Sequence, residues 1–427
     1  MTLRYGWYGD DFTGATDTLA TLAKAGQRAL LLLGVPDAAR LASLGTLDAL
    51  GIAGAARTMD PDAMRAELEP VGRFFAGLCV PVMHYKCCST FDSAPHVGSI
   101  GAAAAALRPF FPNRFLPIVG GQPNIGRYCL FSTLFAAAGT GGAVHRIDRH
   151  PTMSRHPVTP MAEADLRRHL AAQGLDGLAA LHYPDYGLDE ATLDDRLDQR
   201  VAAGEGGVLL DVGEPAHLAP VGRLIHGRAR RAPLLAVGPS GVAQALATQW
   251  PAGPVTDTAL APASGPVFVM AGSLSPVTRR QVDAATSFER IPADAGRLCG
   301  DSAYAASLLE RVAGCLRAGR HALVWTAPSD GKADTTQAAA VADATAAFIA
   351  AVVRAVPLRR LGILGGDTSS KAVAALGCWG LSYVTTMSPG VTVSRGHSAD
   401  RAADGLELML KGGQMGGEDL LERLVRG

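Results

Sequence analysis

Short apolar runs, each closed by glycine, acid or hydroxyl residues, alternate along this chain with longer segments of helical periodicity. Tyr5-Gly6-Trp7-Tyr8-Gly9 gives way to Asp10-Asp11 and then to a helix with Leu19, Leu22 and Ala23 on one face and Gly26 as its stop. Buried strands are predicted at Leu30–Leu33, Pro81–Tyr85 and Phe115–Gly121, and the same rhythm continues through Gly177–Gly187, Val208–Gly213 and Leu234–Gly238. Pro251–Pro266, PAGPVTDTALAPASGP, is poor in large apolar residues and reads as a linker, dividing residues 1–250 from 267–427. Beyond it, strands are predicted at Val267–Met270, Ala322–Thr326 and Tyr383–Met387, with an alanine-rich helix over Asp334–Val356. The fold class is α/β, two domains each with a mainly parallel sheet flanked by helices.

Leu361–Gly377, LGILGGDTSSKAVAALG, is the stretch around which the rest is organised. An apolar run, a glycine pair, small hydroxyls and a helical pattern make a strand–loop–helix junction, with Thr368, Ser369 or Ser370 expected to cap the helix. The remaining free N–H groups and the helix dipole would attract a phosphate, and the glycines would let the backbone approach it. Asp367 would stand at the mouth, placed for a metal ion or a hydroxyl proton. The plainer alternative is an ordinary turn with a tidy cap.

Composition narrows the classes. The charge is balanced at 39 basic against 39 acidic residues, which disfavours an electrostatic nucleic-acid binder. Seven cysteines without C-x-x-C spacing argue against a disulfide framework and a zinc site, and fit a reducing cytosol. No apolar run approaches the roughly 18 residues of a membrane span, and the start lacks a signal-peptide layout. A cytoplasmic protein is expected. Only five of the basic residues are lysines, namely Lys24, Lys86, Lys332, Lys371 and Lys411. Where arginine replaces lysine so widely, the survivors are enriched at positions that need a compact charge. Lys86 and Lys411 lie beside hydroxyl-rich or glycine-rich loops.

Further loops carry candidate chemistry. Asp10 and Asp11 arrive together at a strand end before Thr13-Gly14, where open α/β sheets bind ligands. Lys86 leads into Cys87-Cys88-Ser89-Thr90-Phe91-Asp92-Ser93, several donors and acceptors suited to a polar acid. Gln122–Tyr128, with Arg127, is an irregular polar loop, and Arg146–Pro157 combines three arginines and two histidines with prolines in a rigid cationic loop. That loop serves either an anionic substrate or an interface. Gly272-Ser273, Gly365–Ser369 and Lys411–Gly417 are three small-residue loops in the second half, as close backbone approach to a nucleotide requires. Neither a Walker A sequence nor a G-x-G-x-x-G after the first strand occurs.

Together DDFTGATD, KCCSTFDS, RHPTMSRHPVTPM, MAGSLSPVTRRQ, LGGDTSSKAVAALG and LKGGQMGGEDL resemble, in family order, the four-carbon acid sugar kinases. The resemblance implies an N-terminal sugar-acid-binding domain and a C-terminal ATP-binding domain meeting at a cleft that holds the active site. It implies ATP contacts from Ser273, Gly365, Gly366, Asp367, Thr368, Gly412 and Gly413. Substrate contacts would come from Asp10, Asp11, Lys86, Ser89, Thr90, Arg127 and Arg155. After STFDS the chain reads APHVGSIG, where members acting on 3-oxo-tetronate carry Gly-Asn-Ile-Gly, and GGQPNIGRYCLFSTLFA differs as well. The implied substrate therefore widens from a tetronate or 3-oxo-tetronate to a branched acid such as 3-oxo-isoapionate.

The implied chemistry is phosphoryl transfer from ATP, with Mg2+ bridging phosphate oxygens, to a terminal hydroxyl. Asp367 and Asp11 are the two candidate bases, and analogy with other small-sugar kinases favours Asp367. Its partners would be ATP and the acid, without nucleic acid or membrane and with a homodimer allowed. An NAD-dependent sugar-acid dehydrogenase and a non-catalytic sugar-acid sensor are the rival classes. The first should carry a dinucleotide fingerprint, and the second would not need three glycine loops.

Overall fold

The computed structural model describes residues 3–139, 141–204, 207–251, 253, 259–272, 275–327, 338–412 and 415–427, without the side chains of Ala327, Ala338, Ala339 and Asp367. Ser273 and Gly413, the start of the Asp334–Val356 helix and part of the expected linker lie outside the described residues. The chain divides into two compact units, Met1–Val255 and Thr256–Gly427.

The first unit contains β1 (Tyr5–Gly9), β2 (Ala29–Leu32), β3 (Ala49–Ala53), β4 (Val82–Lys86), β5 (Pro117–Val119), β6 (Arg127–Leu130), β7 (Thr133–Ala137), β8 (Val144–Arg146), β9 (Ala179–Leu181), β10 (Val208–Leu210) and β11 (Leu234–Gly238). Its main sheet runs β2-β3-β1-β4-β11-β5-β10-β9, and every pairing in it is parallel. Buried on both faces, such strands read as continuous apolar runs rather than alternating ones. β1, whose five residues are all buried, is of this kind. The remaining three strands form a small antiparallel sheet, β6-β7-β8. Its tight turn sets Phe131 and Ser132 at φ 49° and 65°. The buried Asp211 carboxylate steadies that turn by accepting from both backbone N–H groups, at 2.7 and 3.0 Å.

The second unit contains β12 (Val267–Ala271), β13 (Phe288–Asp294), β14 (His321–Ala327), β15 (Arg360–Leu364), β16 (Cys378–Ser388), β17 (Val391–Ser398) and β18 (Glu407–Lys411). β13-β14-β12-β15-β18 is parallel, and β17 and β16 extend it antiparallel. The short strand predicted at Tyr383–Met387 is the C-terminal half of the eleven-residue β16, which pairs with β17 across a turn where Gly390 takes φ 73°. Of the expected linker, Leu260 joins the core of the second unit and Ala263 packs against it.

In each unit the strand order reverses next to the first strand. β1 lies between β3 and β4, and β12 lies between β14 and β15. At such a reversal the adjoining loops diverge to opposite faces, opening a crevice at the carboxyl ends of the strands. Among the described residues no helix is long and apolar enough to cross a membrane.

Candidate active site

The crevice of the first unit is lined by charge. Parallel pairing sets Gly9 opposite Lys86, and the Asp10 N–H donates to the Lys86 carbonyl at 3.0 Å. Asp11 opens the helix Phe12–Lys24 as its cap, with one carboxylate oxygen accepting from the Gly14 N–H at 2.7 Å. Its other oxygen accepts from Arg57 at 2.7 Å. Arg57 also grips Asp10 with two bonds, at 3.2 and 2.7 Å. Burial pushes the Asp10 carboxyl above its ordinary value, against the pull of Arg57. For Arg57, burial alone would lower the pKa, but Asp10 and Asp11 outweigh it and hold the guanidinium well above its usual value. Lys86 is 3% exposed and donates to the Cys87 carbonyl at 2.8 Å. A Cβ on Gly14 would sit 2.5 Å from both the Lys86 Nζ and an Asp11 oxygen, so these two charges flank a position where any side chain would have to displace them.

The loop after Lys86 is internally bonded. Thr90 is buried and its hydroxyl donates to Asp92 at 2.6 Å, while Ser89 is half-buried. Phe91 takes φ 54°, and its carbonyl and the Ser93 hydroxyl both lie 3.0 Å from the His169 Nε2. Arg127 spends one terminal nitrogen on three backbone carbonyls, those of Ile125, Gly126 and Ala137. Its buried Nε has no partner, and burial lowers its pKa. Arg155 stands exposed on the turn Met153–Arg155, apart from the ion network of Asp10, Asp11 and Arg57.

The crevice of the second unit is lined by backbone. Three neighbouring strands, β12, β15 and β18, end there together: Gly272 donates to the Leu364 carbonyl and Gly365 to that of Lys411, both at 2.9 Å. Gly365 takes φ 134° and caps the helix Gly366–Ala375 without any side-chain bond, and its first N–H groups have no partner among the described residues. This corrects the expected cap. The helix begins before the hydroxyls, so Ser369 and Ser370 lie within it and donate backwards to the Gly365 and Gly366 carbonyls at 2.7 and 3.3 Å. Gly272 packs so closely on the buried Thr368 hydroxyl that a Cβ there would collide with it, whereas a Cβ on Gly366 would meet nothing among the described residues. Lys411 is 1% exposed, donates to the Thr278 hydroxyl and the Met415 carbonyl at 3.2 Å, and has its pKa lowered to about 8 by burial.

Two residues of these crevices escape the sequence reading. Arg57 follows β3 in the turn Ala56–Thr58, whose sequence matches no binding motif, and only tertiary pairing brings it to Asp10. Gln281, inside the quoted MAGSLSPVTRRQ, is buried and donates to the Met415, Gly416 and Gly417 carbonyls at 3.0, 3.1 and 2.9 Å, fixing the course of the glycine loop. A buried glutamine in a helix facing a glycine loop was the available signal. Among the described residues no three histidine, cysteine or acid side chains converge as a metal cage, and all seven cysteines are free.

Comparison with known proteins agrees with this division of labour. A family model described as a sugar-binding N-terminal domain matches residues 5–246, and one described as a nucleotide-binding C-terminal domain matches residues 268–421. A 3-oxo-isoapionate kinase of Paraburkholderia graminis is 37% identical over 96% of this chain and 91% of its own length. A 3-oxo-tetronate kinase of Methylobacterium radiotolerans is 30% identical over 100% of this chain and 99% of its own. Among solved structures, a candidate tRNA synthase of Salmonella typhimurium LT2 superposes with a TM-score of 0.82 at 26% identity, covering 99% of this chain and 98% of that one. With both domain models matched in order and relatives aligned from end to end, the chain belongs to the four-carbon acid sugar kinase family, ATP-using enzymes of carbohydrate metabolism.

Proposed function

We propose that this enzyme transfers the γ-phosphate of ATP to the terminal hydroxyl of a small oxo sugar acid, with a branched acid of the 3-oxo-isoapionate type as its preferred substrate. The observation that carries the reading is the pair of strand-order reversals, one lined by Asp10, Asp11, Arg57 and Lys86, the other by Gly272, Gly365 and Lys411. The branched acid is favoured by the 37% identity to a 3-oxo-isoapionate kinase, against 30% to a 3-oxo-tetronate kinase.

In this reading residues 1–250 hold the acid, 251–266 connect, and 267–427 hold the nucleotide. Lys86 meets the substrate carboxylate, while the Asp10 and Asp11 carboxylates, fixed by Arg57, accept from its hydroxyls. Ser89 and Thr90 border the acid. Arg127 contributes its charge from the small sheet, and Arg155 reaches the acid from the cationic turn. The N–H groups that open the helix at Gly366–Thr368 receive phosphate oxygens, with Gly365 and Gly272 keeping the approach clear. Ser273, Gly412 and Gly413 complete the nucleotide contacts. Lys411 adds a positive charge to the phosphates. Asp367 takes the hydroxyl proton as the acceptor attacks phosphorus and ADP departs. Asp11 is the poorer base, because Gly14 and Arg57 already occupy its two oxygens. Mg2+ is commonly held by substrate phosphates with one or two carboxylates rather than by a protein cage. That pattern fits a loop whose single acid is Asp367, and the ion would neutralise charge developing on the phosphates.

The test is ADP release with a panel of tetronates, 3-oxo-tetronates and branched 3-oxo acids. A branched 3-oxo acid should give the highest kcat/KM. Preference for a tetronate would refute the substrate assignment, and no ADP release with any acid would refute the reaction.

A further inference from the structure

At the opposite end of β15 and β18 from the glycine loops, the second unit carries a half-open cavity of about 520 Å3. β15 spans five residues, so roughly 13 Å separates its two ends. The cavity is walled by residues 261–266 together with Arg359, Arg360, Arg395, Gly405 and Glu407. Three arginines therefore face a single acid. Arg360 is 4% exposed and fully spent: its guanidinium binds Glu407 at 2.7 Å, the Leu424 carbonyl at 2.8 Å and the Ala261 carbonyl at 2.9 Å. Those bonds fix the wall formed by the 261–266 segment, and they neutralise Glu407. Strand register sets Glu407 directly opposite Arg360 on one side and Arg395 on the other. Arg395 and Arg359 are exposed and enter no ion pair among the described residues.

We propose that this cavity is a binding site for a small polyanion, a molecule carrying phosphate or carboxylate groups that Arg359 and Arg395 engage through their guanidinium forks. Its volume falls within the roughly 300–1,000 Å3 typical of small-molecule pockets, more than a single phosphate needs. Two arginines beside a shaped wall are suited to bidentate recognition, which lysines would not supply. Arg360 and Glu407 are the fixed floor, and the two unpaired arginines are the variable part.

The experiment uses the full chain, preloaded with a non-hydrolysable ATP analogue so that its nucleotide loops are occupied. Inorganic triphosphate and citrate are titrated separately by calorimetry, one probe for each anion chemistry. Binding of either that depends on Arg359 and Arg395 supports the site, and the probe that binds identifies the source. The Arg359→Gln/Arg395→Gln double variant should weaken that binding at least about tenfold, about 1.4 kcal/mol. Its ATP affinity and kinase turnover should equal those of the wild type. The Arg359→Lys/Arg395→Lys variant should fall between, since it keeps the charge and loses the fork. Should the double variant not fold, Arg395→Gln alone is expected to weaken binding severalfold. Binding of neither probe up to about 5 mM, a regime weaker than about −3 kcal/mol, would overturn the proposal. So would undiminished affinity in a folded variant.

Discussion

Lys86 and Lys411 hold the same place in two different units. Each is the last residue of a parallel strand, and each carbonyl accepts from the first loop residue of the neighbouring strand, Asp10 at 3.0 Å and Gly365 at 2.9 Å. Both are buried, at 3% and 1% exposure. Their company differs. Lys86 stands among Asp10, Asp11 and Arg57, a set of charges that balance one another before any ligand arrives. Among the described contacts of Lys411 are the Thr278 hydroxyl and the Met415 carbonyl, and burial lowers its pKa to about 8. One fold feature thus supports two recognition strategies. Side-chain charge suits an acid whose hydroxyls must be told apart, while open backbone and one cation suit phosphates common to every nucleotide.

The sharpest way to break this comparison is at the proposed base, which is assigned to the backbone-lined crevice. Asp367→Asn should lower kcat by about 10²–10⁴ with little change in either KM, as loss of a general base does. Asp11→Asn should instead act on the acid's KM, since Asp11 is tied to Gly14 and Arg57. Steady-state kinetics on both variants checks this. A dead Asp11→Asn beside a near-normal Asp367→Asn would move the base to the charged crevice.

Next in size is Lys86→Met, which keeps the stem and loses the charge. A hydrogen bond to a charged group contributes about 1.5–3 kcal/mol, so kcat/KM for the acid should fall roughly 10–150-fold while KM for ATP holds. Lys86→Arg should also be impaired, because a planar fork does not replace a compact ammonium behind Gly14. Unchanged kinetics in Lys86→Arg would remove the lysine from the substrate site.

How far such sites are legible follows from where their information resides. Asp10, Asp11 and Lys86 sit next to apolar runs, and a strand followed by acids or a lysine is a local signal. Arg57 is bound to Asp10 only because β3 pairs with β1, a contact set by long-range parallel pairing that no window around residue 57 contains. The helix start at Gly366 was ambiguous for another reason. A serine can accept from a helix N–H as a cap or donate to the carbonyl four residues back, and both patterns look alike in sequence. Here Gly365, free to take φ 134°, starts the helix early, and Ser369 and Ser370 adopt the second role. Only the C-terminal half of β16 is legible because Trp379-Gly380 and Ser382 interrupt the apolar pattern, while antiparallel pairing with β17 carries the strand through them.

Lys411 offers a pH signature. Its pKa is lowered to about 8, so the ammonium that would meet ATP predominates below that pH and is lost above it. kcat/KM for ATP, which reports free-enzyme groups, should fall as pH rises through about 8. Lys411→Met should flatten that limb and lower kcat/KM for ATP below it by about tenfold, leaving KM for the acid unchanged. A limb that persists in Lys411→Met would assign the titration to another group.

The smallest expected effect is the most discriminating. A Cβ on Gly366 would meet no atom among the described residues, and the residue opens the helix Gly366–Ala375. Gly366→Ala should therefore cost no packing. Alanine is favoured over glycine in helices by up to about 1 kcal/mol, and it narrows the unfolded ensemble, so Tm should hold or rise slightly. If phosphate oxygens approach this N–H, the added methyl occupies part of their path, and KM for ATP should rise about three- to tenfold, with Gly366→Val larger. The acid's KM should not move. A variant that is more stable yet binds ATP worse would show that the open space over Gly366 is ligand space rather than a packing defect. A stabilised variant with unchanged ATP kinetics would take the phosphates away from this helix and leave the Lys411 loop as their remaining support.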